Sequence, residues 1–310
     1  MPCARPSRPA PRASPRDLPV TRTAFLGTSQ FAAAVLARLA DSPHRPQLVV
    51  TRPDRPAGRG RRLASPPVAD AARQLGLALA QPENVNADDA RAQIAAAAPE
   101  VVVVCAFGAL IREPLLSDFE MINVHPSLLP RWRGAAPVER AIMAGDDETG
   151  VAIMRVTAGL DSGPVYLMGR EPIAPDDTYG TLAPRLQELA GDLLLRVLDE
   201  RPASVEQSED GVTYADKIGP ADRTLDPAAP AVVNDRVVRA LTPHIGARVT
   251  LADGSPLGVL RAAVRDPDAA GELRADGDRL LLGGLELLEV QPAGGRPMDA
   301  AAYLRGRARS

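Results

Sequence analysis

Between Glu100 and Ala106 the chain reads Glu-Val-Val-Val-Val-Cys-Ala, and this run restricts the fold more than any other feature. A strand with one wet face alternates apolar and polar residues. A strand apolar at every position is buried on both faces, as in a parallel sheet covered by helices. The flanking sequence supplies the covers. From Thr23 the pattern predicts a strand (TAFLG), an Ala-rich helix over Gln30–Ala40 and a second strand, QLVVT. A long Arg-, Gly- and Pro-rich loop over Arg52–Pro67 follows, then helices over Pro67–Gly76 and Ala87–Ala98. Beyond the valine run come strands over Met121–Val124, Gly150–Thr157 and Pro164–Ile173, and helices over Val138–Ala144 and Thr178–Glu200. Strands separated by helices predict a Rossmann-like, doubly wound α/β unit with its site at the strand C-terminal ends.

The pattern changes near Arg201. Pro202–Asp222 is polar and reads as a linker, and Val232–Leu241 as a helix. Five short apolar runs then follow (ARVTLA, LGVLRAAV, GELRA, RLLLGG, LELLEVQP), separated by DG, DP and GG turn signals. That spacing predicts a small OB-like β-barrel. The expected organisation is an N-terminal extension at 1–20, an α/β domain at 21–202, a linker at 203–224 and the barrel at 225–310.

With 310 residues the chain is long enough for two cores. No apolar run approaches the roughly 20 residues that span a bilayer. Two cysteines far apart, Cys3 and Cys105, exclude a disulfide framework or a Cys-rich metal site, so a cytoplasmic setting is the default. Cys105 reads as a buried strand residue. The net charge of −3 confines any nucleic-acid binding to local patches. Met1–Val20 carries six prolines and several arginines, and is expected to be a disordered extension.

Ile122–Gly163 carries the chemistry. Asn123 and His125 lie two apart at a strand end, so both side chains leave the same face. Asp161 follows in a Gly-Leu-Asp-Ser-Gly turn. An amide can steady an oxyanion, an imidazole can shuttle a proton and a carboxylate can orient it, which suits transfer of an acyl group between two bound substrates. Ser127 beside His125 lacks the GxSxG elbow of a hydrolase. Gly27 is read either as a turn glycine or as a ligand contact; the full GxGxxG spacing is absent. Trp132 is read either as core or as a platform for a ring or base. Asp146, Asp147 and Glu148 follow a helix and are expected to face solvent. No cluster with metal-ligand spacing is present, so no metal is expected.

The segment INVHPSLLPRWRGAAP, with FLGTSQFA, VVTRPDRPAGRGRRL, TYADKI and QPAGGRPM in the same order, resembles the formyltransferases that use 10-formyltetrahydrofolate. SLLPRWRGAAP is most similar to the branch whose acceptor is methionyl initiator tRNA. The resemblance spans roughly residues 23–306 and implies Asn123, His125 and Asp161 as the catalytic set. It places the folate carrier against Ser127, Leu128, Leu129 and Pro130. It also makes Arg52–Arg62, with five arginines against Asp54, the loop that meets the tRNA acceptor arm, through Arg55, Arg59, Arg61 and Arg62. Initiator methionyl-tRNA and 10-formyltetrahydrofolate are the expected partners, and a monomer the expected state. Three departures stand out. The aromatic residue that the family usually shows near Leu225-Asp226 is missing. Thr242-Pro243-His244-Ile245-Gly246 replaces the family's usual Asn-Pro-Trp-Pro-Gly, and Gly295-Arg296 stands where two lysines are common.

Overall fold

The computed structural model describes residues 20–57 and 62–307. The extension expected at 1–20 lies almost wholly outside the described residues, as do Arg59 and Arg61. The first half comprises β1 (Thr23–Gly27), α1 (Gln30–Ala40), β2 (Pro46–Val50), β3 (Arg55–Ala57), β4 (Arg62–Ala64), α2 (Pro67–Gln74), β5 (Leu79–Ala80), α3 (Asp88–Ala96) and β6 (Val101–Cys105). It continues with α4 (Leu115–Asp118), β7 (Met121–His125), β8 (Arg133–Gly134), α5 (Pro137–Ala144), β9 (Glu148–Arg155), β10 (Val165–Pro172) and α6 (Tyr179–Glu200).

Seven strands form one sheet in the order β10-β9-β7-β6-β1-β2-β5. The ladders from β5 to β7 are parallel. β7 with β9 and β9 with β10 are antiparallel, so the doubly wound sheet is parallel at its centre and antiparallel at one edge. The valine run behaves as its composition requires. Val101, Val103 and Cys105 enter the cluster under α1 and α6, whereas Val102 and Val104 enter the cluster on the opposite face with Leu115 and Phe107. Burial pushes the Cys105 thiol far above its ordinary range. Gly27 has a packing reason: a Cβ there would lie 2.9 Å from Ala32 Cβ and 3.0 Å from Cys105 O.

The Arg52–Pro67 segment is not simply a loop. β3 and β4 pair as a hairpin, Arg55 opposite Ala64 and Pro56 opposite Leu63. Its root is pinned: Asp54 accepts from Gln81 Nε2 at 2.7 Å and Ser65 Oγ at 3.0 Å. Those two hydrogen bonds hold the Asp54 carboxyl below its usual range.

His44 takes the structural role. Thr21 N donates to His44 Nδ1 at 3.0 Å, so Nε2 carries the proton and donates to Asp199 Oδ1 at 2.8 Å, tying the residues that lead into β1 to α6.

The second half holds β11 (Tyr214–Ala215), a 3-10 turn (Ala221–Arg223), α7 (Ala231–Leu241), β12 (Ala247–Thr250), β13 (Pro256–Val264), β14 (Leu273–Asp276), β15 (Arg279–Leu282), β16 (Leu285–Pro292), β17 (Met298–Asp299) and α8 (Ala300–Arg307). β12-β13-β16-β15-β14 form a curled antiparallel sheet, with β17 on β16. Among the described residues no ladder joins β12 to β14. α7 and α8 pack on this sheet around Leu257, Val259, Leu285 and Leu287. The halves meet through α5 and α7. There Arg140 Nη1 reaches Asp222 at 2.8 Å, and His244 pairs with Glu139 at 2.9 Å while its ring stacks on Tyr179. No described helix is long and apolar enough to cross a membrane.

Candidate active site

The sheet aims β7 so that Met121, Asn123 and His125 share one face. Beyond His125 the chain turns tightly, with Ser127 N donating to His125 O at 2.9 Å. The Ser127 hydroxyl is fully buried and donates to Arg131 O at 2.6 Å, so it shapes this turn. Leu129 packs against Ala152 and Met154, while Leu128 and Pro130 remain partly exposed.

Asp161 arrives from the turn between β9 and β10, held at φ 44°, in the left-handed region. An aspartate tolerates this better than most residues. The structure brings it together with both strand residues. Asn123 Nδ2 donates to Asp161 Oδ1 at 3.1 Å. Gly134 N donates to Asp161 Oδ2 at 2.9 Å. His125 Nδ1 lies 3.7 Å from the same Oδ2. On its other side His125 Nε2 meets Trp132 O at 2.8 Å. A carbonyl only accepts, so Nε2 donates to it, and Nδ1 is the ring nitrogen on the Asp161 side.

Trp132 is neither simple core nor a free platform. It sits at φ 65°, unusual for a bulky residue. Its indole N–H donates to Asp146 Oδ2 at 2.8 Å, and the Arg131 guanidinium covers its ring at 4.3 Å. Asp146 also accepts from Arg131 Nε at 2.8 Å and Nη2 at 2.6 Å. The expectation that Asp146 faces solvent is therefore wrong. Gly145 ends α5 at φ 76° and turns the chain back toward Arg131. Gly134, at φ 127°, lets β8 lie close to β11: a Cβ would stand 2.7 Å from Ala215 O.

Sequence reasoning missed Asp146, Arg133, Gln207 and Thr213. The segment expected as a linker is folded onto the site, since Gln207 Nε2 donates to Asp161 O and Gly163 O, both at 2.8 Å. Arg55 is exposed and 3.7 Å from Glu83, remote in its contacts from this cluster. Arg62 contributes its backbone to β4. A cavity of about 470 Å³ lies against the Asp161 turn, lined in part by Met121, Val156, Thr157, Ser162 and Gly163.

The formyl transferase family model matches residues 21–198, more than half of the chain. A methionyl-tRNA formyltransferase of Halorhodospira halophila is 46% identical over 300 residues, covering 92% of this chain and 96% of that one. The chain belongs to the methionyl-tRNA formyltransferase family. Solved structures agree on the fold of this family member. The methionyl-tRNA formyltransferase from Clostridium thermocellum matches with TM-score 0.58 at 13% identity, over 86% of this chain and 99% of that one. HypX from Aquifex aeolicus, in complex with tetrahydrofolic acid, matches with TM-score 0.63 at 16% identity, over 92% of this chain and 47% of that one.

Proposed function

We propose that this formyltransferase moves the formyl group of 10-formyltetrahydrofolate to the α-amino group of methionyl initiator tRNA. One observation carries the assignment of roles: a single carboxylate, Asp161, accepts from Asn123 and Gly134 while facing His125 Nδ1 at 3.7 Å.

Asn123 Nδ2 has two protons, and Asp161 takes only one. The other is the donor for the formyl oxygen as it becomes an oxyanion. Such a donor contributes ~3–4 kcal/mol of barrier lowering. His125 Nδ1 takes the proton released when the amine nitrogen bonds the formyl carbon. The imidazolium then has both nitrogens as donors, with Asp161 beside Nδ1 to stabilise its charge. From there it returns the proton to the folate nitrogen as the carbon–nitrogen bond breaks, so the protons balance and no net charge stays on the protein.

The folate carrier lies against the Ser127–Pro130 turn. Leu128 and Pro130, both partly exposed, offer it apolar surface. The α/β half (21–202) carries the chemistry, and the 225–310 half helps hold the tRNA body.

The test is a formyl-transfer assay with 10-formyltetrahydrofolate and methionyl initiator or elongator tRNA. Transfer to the initiator, lost about a hundredfold or more in His125→Ala and Asn123→Ala, is expected. A variant that keeps full kcat removes that residue from the mechanism. Transfer to neither tRNA, with folate still bound, points to a small-molecule amine as acceptor.

A further inference from the structure

The roles above leave the polar segment between α6 and the 3-10 turn unused, yet it is built into the site. Val205 and Val165 exchange backbone hydrogen bonds at 2.8 and 2.9 Å, which seats the segment along β10. Two residues on, Gln207 makes three hydrogen bonds with one side chain. Its Nε2 donates to Asp161 O and Gly163 O at 2.8 Å each, and its Oε1 accepts from Arg133 Nε at 3.0 Å. Thr213 then accepts from Trp132 N on its hydroxyl at 2.9 Å, and from Arg133 N on its carbonyl at 2.9 Å. Ala215 O accepts from Ala135 N at 2.8 Å. A strap from Val205 to Ala215 thus grips both stretches that orient His125 and Asp161: the Trp132–Gly134 backbone and the Asp161 turn.

The Asp161 turn needs such a grip. It carries two glycines, Leu160 at its tip is 59% exposed, and Asp161 itself is left-handed. A turn of this kind samples many conformations unless its carbonyls are held. Among the described residues, Gln207 is the side chain that bonds those carbonyls. Arg133 completes the arrangement at a cost. Its side chain is buried, and among the described residues no acidic group lies within ion-pair distance and Nη2 has no partner. A buried guanidinium left this incompletely satisfied does little for stability; orienting Gln207 Oε1, and so aiming Nε2 at the turn, gives it a use.

We propose that Gln207 is a positioning residue for formyl transfer: it locks the Asp161 turn in the left-handed conformation in which Asp161 meets Asn123, Gly134 and His125. The amide is required as an amide. Both of the turn's carbonyls need a donor and Arg133 needs an acceptor, and glutamine supplies both from one planar group.

This rests on the proposed function, and two independent readouts separate its failure from a failure of that reading. The variants are Gln207→Leu, which keeps volume and loses all three hydrogen bonds, and Gln207→Glu, which keeps the Arg133 acceptor and turns oxygen toward both carbonyls. Kinetics with saturating 10-formyltetrahydrofolate and methionyl initiator tRNA are expected to show kcat lower by about ten- to a hundredfold in both variants, with each KM within about twofold. The acid limb of the kcat–pH profile is expected to move as well, because Asp161 no longer sits against Nδ1. Hydrogen–deuterium exchange is expected to quicken over residues 157–164 in both, and to stay unchanged in α1 and β6. Folded variants with wild-type kcat, or with a loss confined to KM, overturn the proposal. If the wild-type chain formylates neither tRNA, the exchange experiment decides alone: unchanged uptake over 157–164 overturns the role of Gln207, whatever the reaction is.

Discussion

Asp146 holds the backbone conformation on which His125 depends. Trp132 is left-handed, its carbonyl fixes the His125 ring, and its indole is tied to Asp146 together with Arg131. Contact with Asp146 raises the Arg131 pKa, chiefly through their hydrogen bonds. Replacing Asp146 by Ala frees Trp132 to leave its strained conformation, and the carbonyl moves with it. Asp146→Ala is expected to lower kcat by about tenfold or more, whereas Asp146→Asn, which retains an acceptor for the indole, loses less; steady-state kinetics of the pair check the order. Equal activity in the two variants would detach Trp132 from the chemistry. Strand periodicity alone put Asn123 and His125 on one face and left Asp161 as a turn carboxylate; it was the resemblance that named the three as a set, and the structure brings them into contact. Asp146 and Gln207 were not legible in the sequence. Each reads as an ordinary surface polar residue, and its partner is remote in the chain, 15 positions away for Arg131 and 46 for the Asp161 carbonyl.

α6 shows what an element gains from one buried carboxylate at its start. Thr178 caps the helix through Thr181 N, and Asp177, just before it, is buried. Asp177 accepts from Arg185 Nη1 at 2.9 Å and Nη2 at 2.7 Å, from Thr181 Oγ1 at 2.7 Å and from Ala174 N at 2.7 Å. The Arg185 hydrogen bonds, ahead of those from Thr181 and Ala174, hold its pKa at about 2. The folded value lies below the unfolded one, so the contribution is present above about pH 4 and disappears as pH falls through about 2. It amounts to about 2 kcal/mol. Asp177→Asn is expected to lose on the order of that at neutral pH and to flatten the acid limb between about pH 4 and 2, read from denaturant unfolding at a series of pH values. An acid limb as steep as wild type would assign it to other carboxylates. The helix itself was legible from its amphipathic pattern over Thr178–Glu200. The direction of β9 was not, since an apolar run looks the same whether its neighbour runs parallel or antiparallel. Nor was the β3–β4 hairpin, whose Arg, Pro and Gly content has no period for an apolar face to impose.

At the scale of the whole molecule, a chain of net charge −3 must recruit a polyanion. Its long-range field does not help, so attraction has to come from basic groups carried clear of the acidic surface. The hairpin does this. Asp54 is tied down at its root by Gln81 and Ser65, with Arg73 at 3.8 Å, and Arg55 lies 3.7 Å from Glu83. Arg55 keeps 62% of its side chain exposed, and Leu63 stands 73% exposed on the opposing strand. Replacing Arg55, Arg59, Arg61 and Arg62 together by Ala is expected to lower kcat/KM for methionyl initiator tRNA and to flatten its dependence on salt. The log–log slope should fall by about 0.7–0.9 for each phosphate that is no longer neutralised. The KM for 10-formyltetrahydrofolate should stay the same if, as proposed, the folate carrier sits at the Ser127–Pro130 turn and not at the hairpin. A salt slope equal to wild type would mean that the phosphates are read elsewhere, with the 225–310 half next in line. A raised folate KM would mean that the hairpin closes over the catalytic site rather than reaching for the tRNA.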